Sequence, residues 1–217
     1  MTLAAISLLR LRRFVLRASS RYNSPLIMSS PLDSAIAALA SADPVTRTAA
    51  ATEIYITGRN SADVATQLWR NHAELQALLG ATPVVTVGLA VDPATFAKIR
   101  EANGSPPLVQ IPPDQDAQEF ELHFPNEISL DVLTTSAPGG SGAIARYLSN
   151  FGAGIQQVEY RCSDLECATA LLQQEFDITP VYPHPRPGAD GTRINFFLVA
   201  ASDGGKILVE LYELAKK

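Results

Sequence analysis

GIQQVEYRCSDLECATALLQQEF, Gly154–Phe176, decides the fold. Its first half alternates in character from Ile155 to Cys162, the period-two signature of a strand, and sets Gln157, Glu159 and Arg161 on one face. Its second half is an amphipathic helix that ends near Phe176. Ser163 and Glu166 stand at capping-box spacing where strand must turn into helix. The loop TPVYPHPRPGADG follows, then two apolar runs, RINFFLVA and KILVELYE, that read as strands. The order is one βαβββ unit.

An earlier stretch repeats that order. VVTVGLAV reads as a strand, Asp92 and Pro93 as the N-cap and first position of a helix, and Gly104 as its stop. QEFELHF alternates strictly, with Glu119, Glu121 and His123 on one face and Phe120, Leu122 and Phe124 on the other. EISLDVLTT is a further strand. Between them SPPLVQIPPDQD, with four prolines in twelve residues, is a loop or edge element. SAPGGSG is a linker and AIARYLSNFG a short connecting helix. The expected fold class is α+β: two βαβββ modules side by side, forming a cup-shaped mixed sheet over residues 83–217, with an N-terminal helical extension over 31–82.

That extension reads as three helices. PLDSAIAALASAD is short and Ala-rich, and a second starts at Pro44 behind Asp43 as N-cap. The third runs from Asn60 or Ser61 to Gly80, with Val64, Leu68, Leu75, Leu78 and Leu79 along its apolar side and Trp69 at the edge. Trp69 and His72 are read as helix-packing residues rather than ligand contacts. The extension packs either on the sheet or against a second subunit, so a homodimer is one expectation.

Residues 1–30 carry no acid and mix Arg, Ser and Leu at helical spacing, the composition of a mitochondrial transit peptide. The expected location is the mitochondrial matrix; initiation at Met28 is the other reading and leaves a cytoplasmic protein. No stretch approaches the roughly 20 apolar residues of a membrane span. The formal charge of −5 hides an asymmetry: five arginines fall within residues 1–32, and the remaining 12 basic residues face all 22 acids. The rest of the chain is therefore acidic, which argues against a nucleic-acid surface. Cys162 and Cys167 are too few and the histidines (His72, His123, His184) too scattered for a disulfide framework or a zinc pair, so reduced thiols are expected.

In GIQQVEYRCSDLECA, RPGADGTRINFF and GGKILVELYE, taken in that order, the chain resembles the vicinal oxygen chelate superfamily, and within it the methylmalonyl-CoA epimerases. The helix GAIARYLSNFGAGI is similar to their inter-module linker. The resemblance spans about Pro83–Lys217 and implies a divalent metal in the cup, held by one inward residue from the first and last strand of each module. The metal there stabilises an enolate formed by proton abstraction α to a thioester carbonyl. Carried over position by position, the ligand set is Thr86 (His in the family), Asp131 (Gln or Glu), Gln157 (His) and Glu210 (Glu). Both histidines are replaced by oxygen donors, so Mg, Mn or Ca fits better than a soft ion; Co belongs to the family, and no metal at all is the alternative.

Strand alternation also brings Glu159 to the face of Gln157. Carboxylates crowded in a cup have at least one raised pKa, which makes Glu210 and Glu159 the candidate catalytic acid and base; pairing of Glu159 with Arg161 or Arg193 is the bland alternative. Arg186 in the PHPRPG loop, with His184 beside it and Arg193 just beyond, is placed to hold an anionic ligand such as a coenzyme A phosphate, or else is a solvated loop charge. The expected function is a glyoxalase-like domain with epimerase-like isomerase or lyase activity on an acyl thioester or small carbonyl compound. The alternatives are metal-free small-molecule binding and a non-catalytic interaction role.

Overall fold

The computed structural model describes residues 30–112 and 115–215. The segment read as a transit peptide, Met28 included, lies outside the described residues apart from Ser30.

Three helices open the described part of the chain. Ser30 caps α1 (Pro31–Ala38) in a reciprocal box with Asp33. Asp43 caps α2 (Pro44–Asn71), accepting from the Val45 and Thr46 amides at 3.2 and 3.0 Å, with Pro44 at the first position as expected. The expected division near residue 60 does not occur. α2 runs unbroken for 28 residues, and the break falls at His72, which ends α2 and caps α3 (Ala73–Leu79). The buried side of α2 also differs from expectation. Val64 and Leu68 are 50% and 57% exposed, whereas Trp69 is buried, and His72 packs edge-on to Phe176. The face turned inward is Ala50, Ala51, Ile54, Gly58, Ala62 and Ala65, ending in Trp69. Small side chains win because they let the helix axis approach the sheet. A Cβ at Gly58 would stand 2.5 Å from Val87 Cγ1.

Seven strands form one sheet in the order β2-β3-β1-β4-β7-β6-β5. They are β1 (Val85–Ala90), β2 (Ala117–Phe124), β3 (Ile128–Thr135), β4 (Gly154–Arg161), β5 (Arg186–Pro187), β6 (Arg193–Ala200) and β7 (Lys206–Glu213). β1 runs parallel to β3, and β4 to β7; the antiparallel β1–β4 pair joins the modules. The second module keeps the βαβββ order around α6 (Leu165–Phe176), though β5 has only two residues. The first, built around α4 (Pro93–Ala102), is βαββ: residues 105–112 of the proline-rich stretch form no strand, as proline removes the ladder's N–H donors. α5 (Ala143–Phe151) links the two.

The α6 cap is a further correction. Asp164 accepts from the Cys167 amide at 2.9 Å, while Ser163 Oγ donates to the Leu78 carbonyl and Glu166 turns to Arg193. A carboxylate at the helix N-terminus adds a charge term that a hydroxyl lacks. Cys162 is buried and Cys167 exposed, both free; burial pushes the Cys162 thiol up to about 12.

One face of the sheet carries the core. Val87, Leu89, Phe120 and Leu130 pack with α1, α4 and the first half of α2, while Val158, Tyr160, Phe197 and Val209 pack with α3, α6 and the second half of α2. Tyr55 packs against both clusters. The helical extension is therefore part of the outer layer of the sheet. The sheet curls the other way, and its inner face is the cup.

Candidate functional site

Register decides what meets at the floor of the cup. β1 sets Thr86 opposite Glu159 and Gly88 opposite Gln157. β3 sets Asp131 beside Gly88, and β7 sets Glu210 beside Glu159. The Gly88–Asp131 pair of the first module thus has its counterpart in the Glu159–Glu210 pair of the second, two residues away along the β1–β4 ladder. All four expected ligand positions, Thr86, Asp131, Gln157 and Glu210, line a single cavity of about 740 Å³ together with Glu159. Of the polar groups among them, Asp131, Gln157, Glu159 and Glu210 are each less than a tenth exposed.

Gly88 makes the centre possible. A Cβ there would lie 2.5 Å from Gln157 Cγ and 3.3 Å from its Cδ, so the bare glycine gives the Gln157 side chain room across β1. Its Nε2 donates to Glu159 Oε1 at 2.9 Å and to Glu210 Oε2 at 2.8 Å. Asp131 shares a further side-chain hydrogen bond with Glu159.

Burial and mutual repulsion raise every carboxyl in the group. Burial, then the Glu159 charge, holds Asp131 and Glu210 well above the carboxylate range. Glu119 on β2 is pushed up to about 8 by burial and then by Glu159, Glu121 and Asp190. Glu159 is raised by burial but is opposed by the hydrogen bonds it receives from Gln157 and Asp131. The hydrogen bonds it receives make Glu159 readier to ionise than Asp131 or Glu210, which hold their protons more firmly and can donate. Tyr212, on the β7 face of Glu210, is pushed up to about 12 by burial and then by Glu159, and stays a neutral phenol.

The remaining expected residues divide. Arg186 lines the cavity from its exposed mouth, its guanidinium 4.8 Å from the Tyr182 ring centre. Arg193 does not join it. Alternation along β6 turns Ile194 and Phe196 into the cup and Arg193 to the other side, where it binds Glu166 and lies 3.3 Å from Glu213. Neither Arg193 nor Arg161 pairs with Glu159. His184 is exposed in its loop, and His123 sits at the rim between Ser129 and Glu121, 3.1 Å from each. Glu119 joins the cup through the strict alternation of β2, a signal present in the sequence. The part played by Gly88 has no such signal.

In this structure the expected ligands are turned to one another rather than to a shared point. Gln157 turns N–H groups, not its carbonyl, to the two central carboxylates, and Asp131 hydrogen-bonds Glu159 rather than facing the centre as a free anion. Among the described residues no group of three or more His, Cys, Asp or Glu is arranged to hold a metal. The amide of Gln157 stands between carboxylates that a cation would otherwise have to bridge.

No protein-family model and no curated protein matches the chain. Solved structures do. Methylmalonyl-CoA epimerase from Mycobacterium tuberculosis is 27% identical with a TM-score of 0.51, covering 64% of this chain and 91% of its own. A variant methylmalonyl-CoA epimerase from Streptomyces coelicolor in complex with 2-nitronate-propionyl-CoA is 20% identical, TM-score 0.50, over 62% of this chain and 99% of its own. A hypothetical protein from Bacillus halodurans is 19% identical, TM-score 0.50, over 61% and 94%. The last two speak for the fold alone. The chain has the vicinal oxygen chelate fold, with methylmalonyl-CoA epimerases among its structural neighbours.

Proposed function

We propose that the protein binds a small carbonyl compound, acyl thioesters included, in the cup and moves a proton at the carbon α to its carbonyl without a metal. The carrying observation is the centre in which Glu159 is hydrogen-bonded by Gln157 and Asp131 beside Glu210. Glu159 is the base. It takes the α-proton, the bonding pair moves onto the carbonyl oxygen, and the neutral carboxyls of Asp131 and Glu210 donate to that oxygen as charge develops. A carboxylic acid kept neutral by burial is an effective oxyanion donor. Return of a proton to the opposite face of the enol inverts the carbon and gives isomerisation; return to the same face restores the starting compound. The likeness to the tuberculosis epimerase supports this reaction class.

A second reading, binding without turnover, draws on Gln157, whose amide occupies an oxygen of both Glu159 and Glu210. One experiment separates the two: NMR of α-proton exchange in D₂O for acyl-pantetheine thioesters, with a chelator present. Exchange that persists with chelator and disappears in Glu159→Gln supports catalysis. Binding without exchange in the wild type establishes the second reading.

The proposal extends to location: residues 1–30 act as a mitochondrial import segment. N-terminal sequencing of the protein from its cells tests it, and a chain beginning at Met1 sinks it.

A further inference from the structure

The charge layout of the cup bears on which ligands it takes. The basic side chains that line it, among the described residues, are Arg146, Arg186 and His123, and all three are exposed. Arg146 donates to the Ser141 carbonyl beside its own helix, and Arg186 lies over Tyr182. None stands with the floor group. The floor offers Glu159, Glu210 and Asp131 with the Gln157 amide already committed to two of them. Leu208 and Phe196 face the cup beside them, and Val84, Val181 and Leu214 at its edge are 44–52% exposed.

We infer that the cup floor selects an uncharged carbonyl head group carried on an apolar body, and that Asp131, Glu159 and Glu210 exclude a carboxylate there. The inference rests on reading the cup as the ligand site. A carboxylate reaching the floor loses its water, finds no cation in exchange, and meets Glu159 and its neighbours at close range. A ketone, amide or thioester oxygen loses far less on entry. It needs no counter-cation and can accept from the Tyr212 phenol, which also lines the cup. Substrates that themselves end in a carboxylate beside the reacting carbon, as malonyl-type thioesters do, are the class this floor rejects.

The test uses two fragments of the same shape, 2-methylpropanamide and 2-methylpropanoate, titrated into the full wild-type chain at pH 7. The side-chain NH₂ resonances of Gln157, assigned by their loss in Gln157→Glu, report arrival at the floor. The amide is expected to shift them at a concentration about tenfold or more below that required for the acid, the separation that one unpaired like charge readily produces. An acid that matches or beats the amide overturns the inference. So does failure of both fragments to move the Gln157 signals up to their solubility, since the floor would then not be where a head group binds. Neither fragment is a thioester or undergoes turnover. The expected ranking without exchange on thioesters would remove the proposed reaction and leave the selectivity standing; exchange with reversed ranking would do the opposite.

Discussion

Glu119 illustrates how a single carboxyl ties the cup to the stability of the chain. Its pKa of about 8 lies above the unfolded value, so the folded state binds the extra proton across the intervening pH range. The stability this proton contributes is fully present below pH about 4.5 and is lost as pH rises through about 8; Asp131 and Glu210 act in the same direction. Thermal melts should therefore fall between pH 5 and pH 9. Glu119→Gln, a permanent mimic of the neutral acid, should melt with the wild type at pH 5 and above it at pH 9. A wild-type melting point that rises over that interval contradicts the assignment. Gly88→Ala tests the neighbouring claim. The added Cβ drives Gln157 off Glu159 and Glu210, and leaving buried polar groups without partners costs about 1–3 kcal/mol. Chemical denaturation should show that loss, together with collapse of the Gln157 amide signals to solvent-exposed values.

Among the elements, α2 departs furthest from expectation, and the reason is steric. Hydrophobicity points to a stripe through Val64 and Leu68, but close approach to β1 favours Ala51, Gly58 and Ala62, and those are buried. Gly58→Ala separates the two effects. Intrinsic helix propensity favours alanine by about 1 kcal/mol. The Cβ would meet Val87 at 2.5 Å, however, and overpacking a tight contact costs about 1–3 kcal/mol. The expected outcome is a small net destabilisation, read as a lower denaturation midpoint with unchanged slope. A more stable variant would show that α2 can lift off the sheet freely. The strands behave more simply: β2 puts on each face the residues its alternation assigns, and β4 does so from Gln157 onward, while a bulge at Gln156 breaks the pattern at its start and turns Ile155 to the core.

At the level of the molecule, α2 joins two core clusters that otherwise belong to separate modules. Ile54 packs with the first module and Trp69 with the second. Removing residues 30–79 uncovers both clusters at once, so a chain of 83–217 alone should bind a hydrophobic dye and lose a cooperative thermal transition, while the full chain keeps one. A truncated chain with a sharp transition and an intact cup would return α1–α3 to the status of an appendage.

What the sequence determined by itself was local: the strand period of β2 and of β4 from Gln157 onward, the Asp43 and Asp92 caps, and the βαβββ order of the second module. Those follow from backbone geometry and short-range chemistry, which neighbouring residues carry. Only the tertiary structure decided the rest. It closed α2 into one helix, because contact with two core clusters outweighs a glycine in mid-helix, and it left the proline-rich stretch at residues 105–112 without a strand. At the site it set Gly88 under Gln157, took Arg193 away to Glu166 and Glu213, and brought Asp131 and Glu210, far apart in the chain, to the two sides of Glu159. Burial raises the pKa of a carboxyl, and burial depends on what other strands bring to its side.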